Sequence, residues 1–395
     1  MAGEALEAVI RSLKFLLSEL SCDDFLNITL FNSKVTIALP LTQMTPEAKK
    51  EATHIIDNIQ AGGGTNLCDG LFHGLHALTE FSKIPEHEET TVSCLLFTDG
   101  QANEGITQAH EIISRMNTLR SQGSLIPAII HTFGFTRSHN AGLLKSIASA
   151  SEGVYYFIED HSSIITSFAE CLGGLISICA KLSEITVYLN PEVATLTNLC
   201  TTRAYKKEPR SNAFQVMLGP IQAGESKDIP FDIFVSKSKE TEEQLLAKCR
   251  FSYIPVQQEG QSERTEIWFD LTISRPRKEN LNEKNLAPNV LVSTHQNREI
   301  CSWVLQNASK YSERREFAKA REEVQRAIKA IKESVSSSTE ECQAFVLELE
   351  RILPNLKDQN TFSAFGQYDM ASFSSCVSTQ SSNACVGSSS FGTAT

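Results

Sequence analysis

A threonine hydroxyl at position 65 and a carboxylate at position 99, each beside glycine, are the residues of this chain best suited to hold a hard divalent cation. Mg²⁺ prefers oxygen ligands in octahedral geometry and usually keeps waters, so hydroxyls and carboxylates at loop ends suit it. Thr65 lies in Gly62-Gly63-Gly64-Thr65-Asn66-Leu67, which opens a helical pattern, and Asp99 lies in Thr98-Asp99-Gly100, where an apolar run stops abruptly. Asn66, Gly100 and Gln101 flank them as candidate partner-binding residues. In the purely structural alternative, Thr65 caps the following helix and Asp99 accepts backbone hydrogen bonds in a turn. A rival cluster, Asp69, His73 and His76, falls on one face of the helix after the glycines. His54 and His131 have no partner nearby in sequence and are expected to be structural.

These donors need a scaffold that brings two distant loops together. Thr91 to Phe97 leaves almost no polar face and reads as a strand buried on both sides of a parallel sheet, with Asp99 at its carboxyl end, where open α/β sheets bind ligands. Around it the pattern alternates. Helices are expected over Glu4 to Leu20, from Thr45-Pro46 to about Gln60, and over Leu67 to about Phe81, Thr107 to Gln122, Ser138 to Ala150 and Ser162 to about Lys181. Strands are expected over Phe25 to Phe31, Lys34 to Leu39, Ala128 to Gly134 and Val154 to Ile158, with hairpin chemistry at Asn32-Ser33. The fold class that follows is α/β, a doubly wound, mostly parallel sheet.

With GGGTNL, LLFTDG, HTFGF and GVYYFIED in that order, residues 1–182 resemble a von Willebrand factor A domain. The resemblance implies a metal-ion-dependent adhesion site in which Thr65 and Asp99 are ligands and a partner's carboxylate completes the coordination. It also implies an Asp-x-Ser-x-Ser loop after a first strand, which this chain lacks. Because a Met often follows that motif in the family, the chain reads as an amino-terminally truncated product beginning at Met1-Ala2-Gly3. With only two of the site's side chains present, Mg²⁺ is expected to bind weakly or not at all in the chain as written, since affinity follows ligand number and charge. In the family the missing strand runs between the Phe25 to Phe31 and Thr91 to Phe97 strands. About five residues of unpaired backbone at roughly 1–3 kcal/mol each rival a whole domain's stability of about 5–15 kcal/mol. The chain alone is therefore expected to be poorly stable, or rearranged so that the two edges pair directly.

Past Ser183 the period changes to short alternating runs, Ile185 to Leu189, Phe214 to Leu218, Ile229 to Val235, Cys249 to Ile254 and Ile267 to Ile273, with Gly219-Pro220 and Glu259-Gly260 as turns. Residues 183–276 read as an antiparallel β-sandwich, and Leu218 to Glu225 is similar to the β module that often accompanies A domains. Residues 289–356 carry three amphipathic stripes closed by Pro354 and form a small α-helical region. That region resembles the one downstream of the A domain in intein-like A-domain proteins and in plant RING-type ubiquitin ligases, although neither a RING cysteine pattern nor a Hint domain is present. Residues 357–395 are Ser-rich with few aliphatics and are expected to form a disordered tail.

The 395 residues are 41% hydrophobic with a net charge of −11, and the bases are scattered, which argues against nucleic acid or an anionic membrane as partner. No apolar run approaches about 18 residues, and the start is a helical pattern rather than a secretion signal. Cys68, Cys94, Cys171 and Cys179 fall on expected buried faces and no C-x-x-C occurs among eleven cysteines, which points to reduced thiols and a cytoplasmic setting. No P-loop, Gly-x-Gly-x-x-Gly or Gly-x-Ser-x-Gly is present, so no enzyme is expected. The expected function is a non-catalytic interaction module that meets a protein partner's acidic side chain through an incomplete metal site. The alternative is a scaffold or substrate adaptor of a ubiquitin-ligase-like or intein-related protein, working through its helical region.

Overall fold

The computed structural model describes residues 3–84, 90–159, 163–201, 203–208, 212–237, 243–256, 263–274 and 287–379. The chain divides into two compact units, Met1–Ile176 with Ser363–Thr395, and Ser177–Phe362.

In the first unit, α1 (Glu4–Glu19) buries the stripe Ala5, Ala8, Val9, Leu16 and Leu17. A hairpin of β1 (Phe25–Phe31) and β2 (Val35–Gln43) follows, closed at Asn32-Ser33, where Asn32 Oδ1 accepts from the Lys34 amide at 2.8 Å. Strand β2 runs past Pro40 to Gln43, which an edge strand tolerates because its outward amides need no ladder partner. Thr45 Oγ1 accepts from the Ala48 amide at 3.2 Å and caps α2 (Pro46–Asp57), with Pro46 in the first turn.

Beyond α3 (Leu67–Ser82), strands β3 (Ser93–Thr98), β4 (Ile129–Phe135) and β5 (Tyr155–Ile158) form a parallel sheet in that order, connected through α4 (Ala109–Ser121) and α5 (Ala141–Ser149) and followed by α6 (Ser163–Ile176). One face packs Leu96 and Ile130 with Leu71, Leu75, Ile112, Met116, Leu144 and Ile147 from α3, α4 and α5. The other packs Phe133 and Phe135 with Val9 and Leu16 of α1 and Phe168 and Leu172 of α6. The sheet is therefore wound on both faces, and its carboxyl edge holds Asp99.

Of the two outcomes expected for these edges, direct pairing does not form among the described residues: β1 belongs to a two-stranded sheet and β3 to a separate three-stranded one. Side chains span the break. Phe31 of β1 and Cys94 of β3 pack against one cluster, and Leu26 of β1 joins Leu95 and Phe97 of β3 at the other.

In the second unit the ladder is continuous. Helix α6 ends at Ile176, and β6 (Ile178–Leu189) starts where the helical pattern was expected to run on to Lys181, because β6 pairs along its length with two neighbours. With β7 (Ala194–Leu199), β8 (Tyr205–Glu208), β9 (Ala213–Gln222), β10 (Phe231–Val235), β11 (Gln244–Pro255) and β12 (Thr265–Ile273) it builds a sandwich. One sheet has the order β12-β11-β6-β9-β8 and the other pairs β10 with β7. Val187, Phe214, Val216, Ala247 and Cys249 face Leu196, Leu199, Phe231 and Ile233 between them. The polar strands β7 and β8 carry too little apolar alternation to be read from sequence. The expected Glu259-Gly260 turn lies outside the described residues. Helices α7 (Val290–Glu313), α8 (Phe317–Glu333) and α9 (Glu340–Ile352) bury Val304, Leu305, Val324, Ile331, Phe345 and Leu349.

The expected disordered tail is corrected for residues 357–379. Helix α10 (Gln367–Thr379) returns to the first unit, where Tyr368 and Ala371 join the core. It lies along β5, whose Tyr155 amide donates to Ser375 Oγ at 3.1 Å, while Lys145 Nζ donates to Ser374 Oγ at 2.7 Å. Serines that read as disorder are thus buried polar partners. Residues 380–395 lie outside the described residues.

Candidate functional site

The site is built where three loops meet at the carboxyl rim of β3. Thr98 is buried, and the chain then leaves the sheet at Asp99-Gly100. The Gly62–Asn66 loop is fastened on both sides of Thr65. The Thr65 amide donates to Asn103 Oδ1 at 2.7 Å, and the Thr65 carbonyl accepts from the amides of Asn103 at 3.1 Å and Glu104 at 3.3 Å. From the hairpin, Ser33 Oγ donates to Glu104 Oε1 at 2.7 Å and accepts from the Gly64 amide at 2.9 Å, while the Asn66 amide donates to the Asn32 carbonyl at 2.8 Å. The approach is tight: a Cβ on Gly64 would stand 2.0 Å from Glu104 Oε1.

The structural alternative for Thr65 is not what forms here. The helix cap is Asn66, not Thr65: Asn66 Oδ1 accepts from the Asp69 amide at 3.3 Å and its Nδ2 donates to Asp69 Oδ2 at 2.8 Å, so Asn66 is engaged in starting α3. The Thr65 hydroxyl instead lies 3.5 Å from where a Gly100 side chain would begin, which sets it against the residue next to Asp99. Gln101 is exposed and donates through Nε2 to the Ser138 carbonyl at 3.0 Å, tying the loop to the turn after β4. The structure thus gathers Thr65, Asn66, Gly100 and Gln101 with Asp99 at one rim. It also assigns positioning roles to Asn32, Ser33, Asn103 and Glu104, which sequence had passed over. Asn32 and Ser33 were legible only as turn residues, and Asn103 and Glu104 gave no signal beyond nearness to Asp99.

Behind the rim sits a buried histidine. His139 is fully buried, donates from Nδ1 to the Thr136 carbonyl at 2.7 Å, and accepts at Nε2 from the Tyr155 hydroxyl at 2.7 Å. Burial pushes its pKa down, opposed by the carbonyls of Phe135 and Thr136 and by the charge of Asp99. The Tyr368 hydroxyl of α10 donates to the Arg137 carbonyl beside it, with the His139 carbonyl 3.3 Å away.

The rival cluster does not assemble. His73 turns Nδ1 back to the Asp69 carbonyl at 2.8 Å, as a helix-surface residue does, and Arg115 approaches the Asp69 carboxylate at 3.9 Å. Among the described residues no group of three or more His, Cys, Asp or Glu side chains could hold a metal. At the rim the donor types fit Mg²⁺, a hydroxyl and a carboxylate, but Glu104 is turned toward Ser33 and Asn103 toward Thr65. Thr65 and Asp99 would have to share the ion with waters or a partner.

The thiols follow burial. Cys68 and Cys171 are buried and free, burial pushes Cys94 up to about 12, and Cys179 is exposed rather than buried as expected. Cys376 is disulfide-bonded, against the expectation of reduced thiols throughout. Among the described residues no helix is long and apolar enough to cross a membrane.

A doubly wound parallel sheet, followed along the chain by an antiparallel sandwich and a helical region, gives the first unit an A-type α/β fold with added modules. Residues 1–157 match the von Willebrand factor type A domain family, and this part of the chain is such a domain, a protein-interaction module. Residues 290–383 match a second family, described as the amino-terminal region of the CPSF6-like RSLD domain, which runs across the expected boundary at residue 357 and takes in α10. Inter-alpha-trypsin inhibitor heavy chain H3 of Homo sapiens is 32% identical over 157 residues, 39% of this chain and 17% of that protein. The E3 ubiquitin-protein ligase WAV3 of Arabidopsis thaliana is 26% identical over 254 residues, 62% of this chain and 31% of the ligase. The chain thus spans under a third of either relative's length. A solved von Willebrand factor type A protein from Catenulispora acidiphila shares the fold with a TM-score of 0.65 at 15% identity, covering 88% of this chain and 78% of that one.

Proposed function

We propose that the rim formed by Thr65, Asn66, Asp99, Gly100 and Gln101 binds a protein partner through an acidic side chain, with Mg²⁺ shared between Thr65, Asp99, waters and the partner's carboxylate. The observation carrying this reading is the Thr65 hydroxyl set 3.5 Å from the side-chain position of Gly100, the residue that follows Asp99. Two protein oxygens leave most of an octahedral shell to water, so metal and partner bind weakly apart and better together. The chain has no catalytic role in this reading.

The test is capture of partners by the full chain in Mg²⁺ and in EDTA, beside Asp99→Ala. Capture lost in EDTA and in Asp99→Ala supports the reading, and capture unchanged in both defeats it.

A second reading, a scaffold or substrate adaptor working through the helical region, is supported by the WAV3 similarity, which extends over 254 residues and so beyond the A domain. Trp303 and Leu347 are exposed apolar residues on α7 and α9. Partners that survive Asp99→Ala but are lost with Trp303→Glu or Leu347→Glu favour this second reading.

A further inference from the structure

The two edges of the five-stranded sheet are built in opposite ways. Strand β8 is four residues long, fully exposed and carries Lys206, Lys207 and Glu208, the short charged edge that discourages pairing with another chain. Strand β12 is nine residues long and pairs with β11 from Gln244↔Ile273 to Tyr253↔Thr265, while its outer edge faces no strand among the described residues. Ile267, Trp268 and Phe269 are consecutive there and 48%, 54% and 47% exposed. Consecutive strand residues point to opposite faces, so apolar surface is open above and below the same edge.

On the inner side these residues are backed. Trp268 stacks on Tyr188 with ring centroids 5.8 Å apart, and the Arg250 guanidinium lies 5.9 Å from its ring. Ile267 and Phe269 stand opposite Phe251 and Cys249 of β11. A long, apolar, held edge of this kind is a template for strand addition.

We propose that this edge pairs with the same edge of a second copy of the chain, the two β12 strands running antiparallel about a twofold axis through Ile267. Among the axes through the three exposed apolar residues, charge complementarity of the edge with itself favours one. In a twofold antiparallel pair the facing residues share a face of the sheet, so the axis passes through one residue. An axis through Trp268 sets Glu266 against Asp270 twice, like charges directly opposed. An axis through Phe269 sets Asp270 against Trp268 and forms no ion pair. An axis through Ile267 sets Asp270 against Arg264 twice, Ile267 against itself, Phe269 against Thr265 and Glu266 against Trp268, so it alone of the three gains ion pairs with no like charges opposed. Within one chain Arg264 is turned inward, donating to Ser252 Oγ at 2.7 Å and to the Leu182 carbonyl at 3.3 Å and lying 3.2 Å from Glu184, so its side chain, 40% exposed, exchanges part of these contacts for the second copy's Asp270. One strand pair is a small interface, so the dimer forms at high protein concentration rather than at nanomolar levels.

The test is sedimentation velocity of the full chain over a concentration series. A monomer–dimer equilibrium is expected. Asp270→Arg opposes two arginines and weakens it about tenfold or more, and Arg264→Asp opposes two aspartates with the same effect. Mixing these two variants restores both opposite-charge pairs, so they associate with each other more tightly than either does with itself. Ile267→Cys, lying on the axis at a Cα separation of about 4.5–5.5 Å, forms an interchain disulfide under mild oxidation, whereas Phe269→Cys, off the axis, does not. A chain monomeric at every concentration, variants that gain nothing on mixing, or Ile267→Cys crosslinking no faster than Phe269→Cys overturns the proposal. Circular dichroism of each variant separates loss of pairing from loss of fold.

Discussion

The two units treat their strand ladders differently. In the sandwich, β12, β11, β6, β9 and β8 are hydrogen-bonded without interruption, whereas in the amino-terminal unit the ladder stops between β1 and β3. The broken sheet keeps its shape because helices bridge it: α1 contributes Leu13 to the clusters on both sides of the break, and α3 packs against β1 while its Leu71 and Leu75 lie with Leu96 of β3. Side-chain burial, which is not directional, spans a gap that backbone hydrogen bonds cannot, since each bond needs a partner within about 3 Å. The difference predicts that the first unit rests on packing and the second on ladder and packing together.

The largest effect expected from this difference is at Phe133, fully buried on β4 and stacked against Phe97 at 4.7 Å and Tyr156 at 4.8 Å. Phe133→Ala should cost about 3–5 kcal/mol and remove the first unit's melting transition while leaving the second's in place. Phe214→Ala, in the sandwich, should do the reverse. A single transition shifted equally by both variants would show that the units do not melt separately.

Next is acid sensitivity. Burial pushes the His131 imidazole down to about 4 from an ordinary 6.5, and its Nδ1 accepts from the Val154 amide at 3.2 Å. The unfolded chain takes up a proton that the folded chain refuses. The stability this neutral ring contributes is complete above the ordinary value and is lost as pH falls toward 4, up to roughly 3 kcal/mol. Glu170, pushed up by burial to about 7, acts in the opposite sense, losing its contribution as pH rises through that value. Comparing wild type with His131→Gln between pH 4 and 7 isolates the histidine. Identical pH profiles for the two would show that His131 titrates normally in the fold.

The smallest effect is at the bridge itself. A Cβ on Gly70 of α3 would lie 2.6 Å from the Phe31 ring of β1. Gly70→Ala should push the helix off the hairpin at a cost of about 1–3 kcal/mol. Amide exchange should then quicken in β1 and β3 but not in β6 or β11. Unchanged exchange in β1 would mean that the bridge is carried elsewhere.

Much of this fold was legible in the sequence because it rests on periodicity. The helical stripes of α1, α2 and α3, the apolar run of β3 and the turn at Asn32-Ser33 are local patterns that each state one answer. The candidate residues Thr65 and Asp99 were legible because residue type and glycine-bearing loops are local as well. Asn66 as the cap of α3 was missed because Thr65 and Asn66 are adjacent residue types that can each cap, and the backbone course of the loop decides between them. Helix α10 was missed for a different reason: Ser374 and Ser375 are helix-compatible only when Lys145 and the β5 edge satisfy them, and those partners lie more than 200 residues away in sequence.

By itself the sequence determined the period of most elements and the oxygen-bearing residues at positions 65 and 99, because these are properties of residue type and spacing. Only the tertiary structure decided that β1 and β3 stay apart, that Asn32, Ser33, Asn103 and Glu104 position the Thr65 loop, that α10 lies along β5, and that β12 presents an open apolar edge. Each of those depends on which distant surfaces meet, and burial energy is indifferent to the order of residues along the chain.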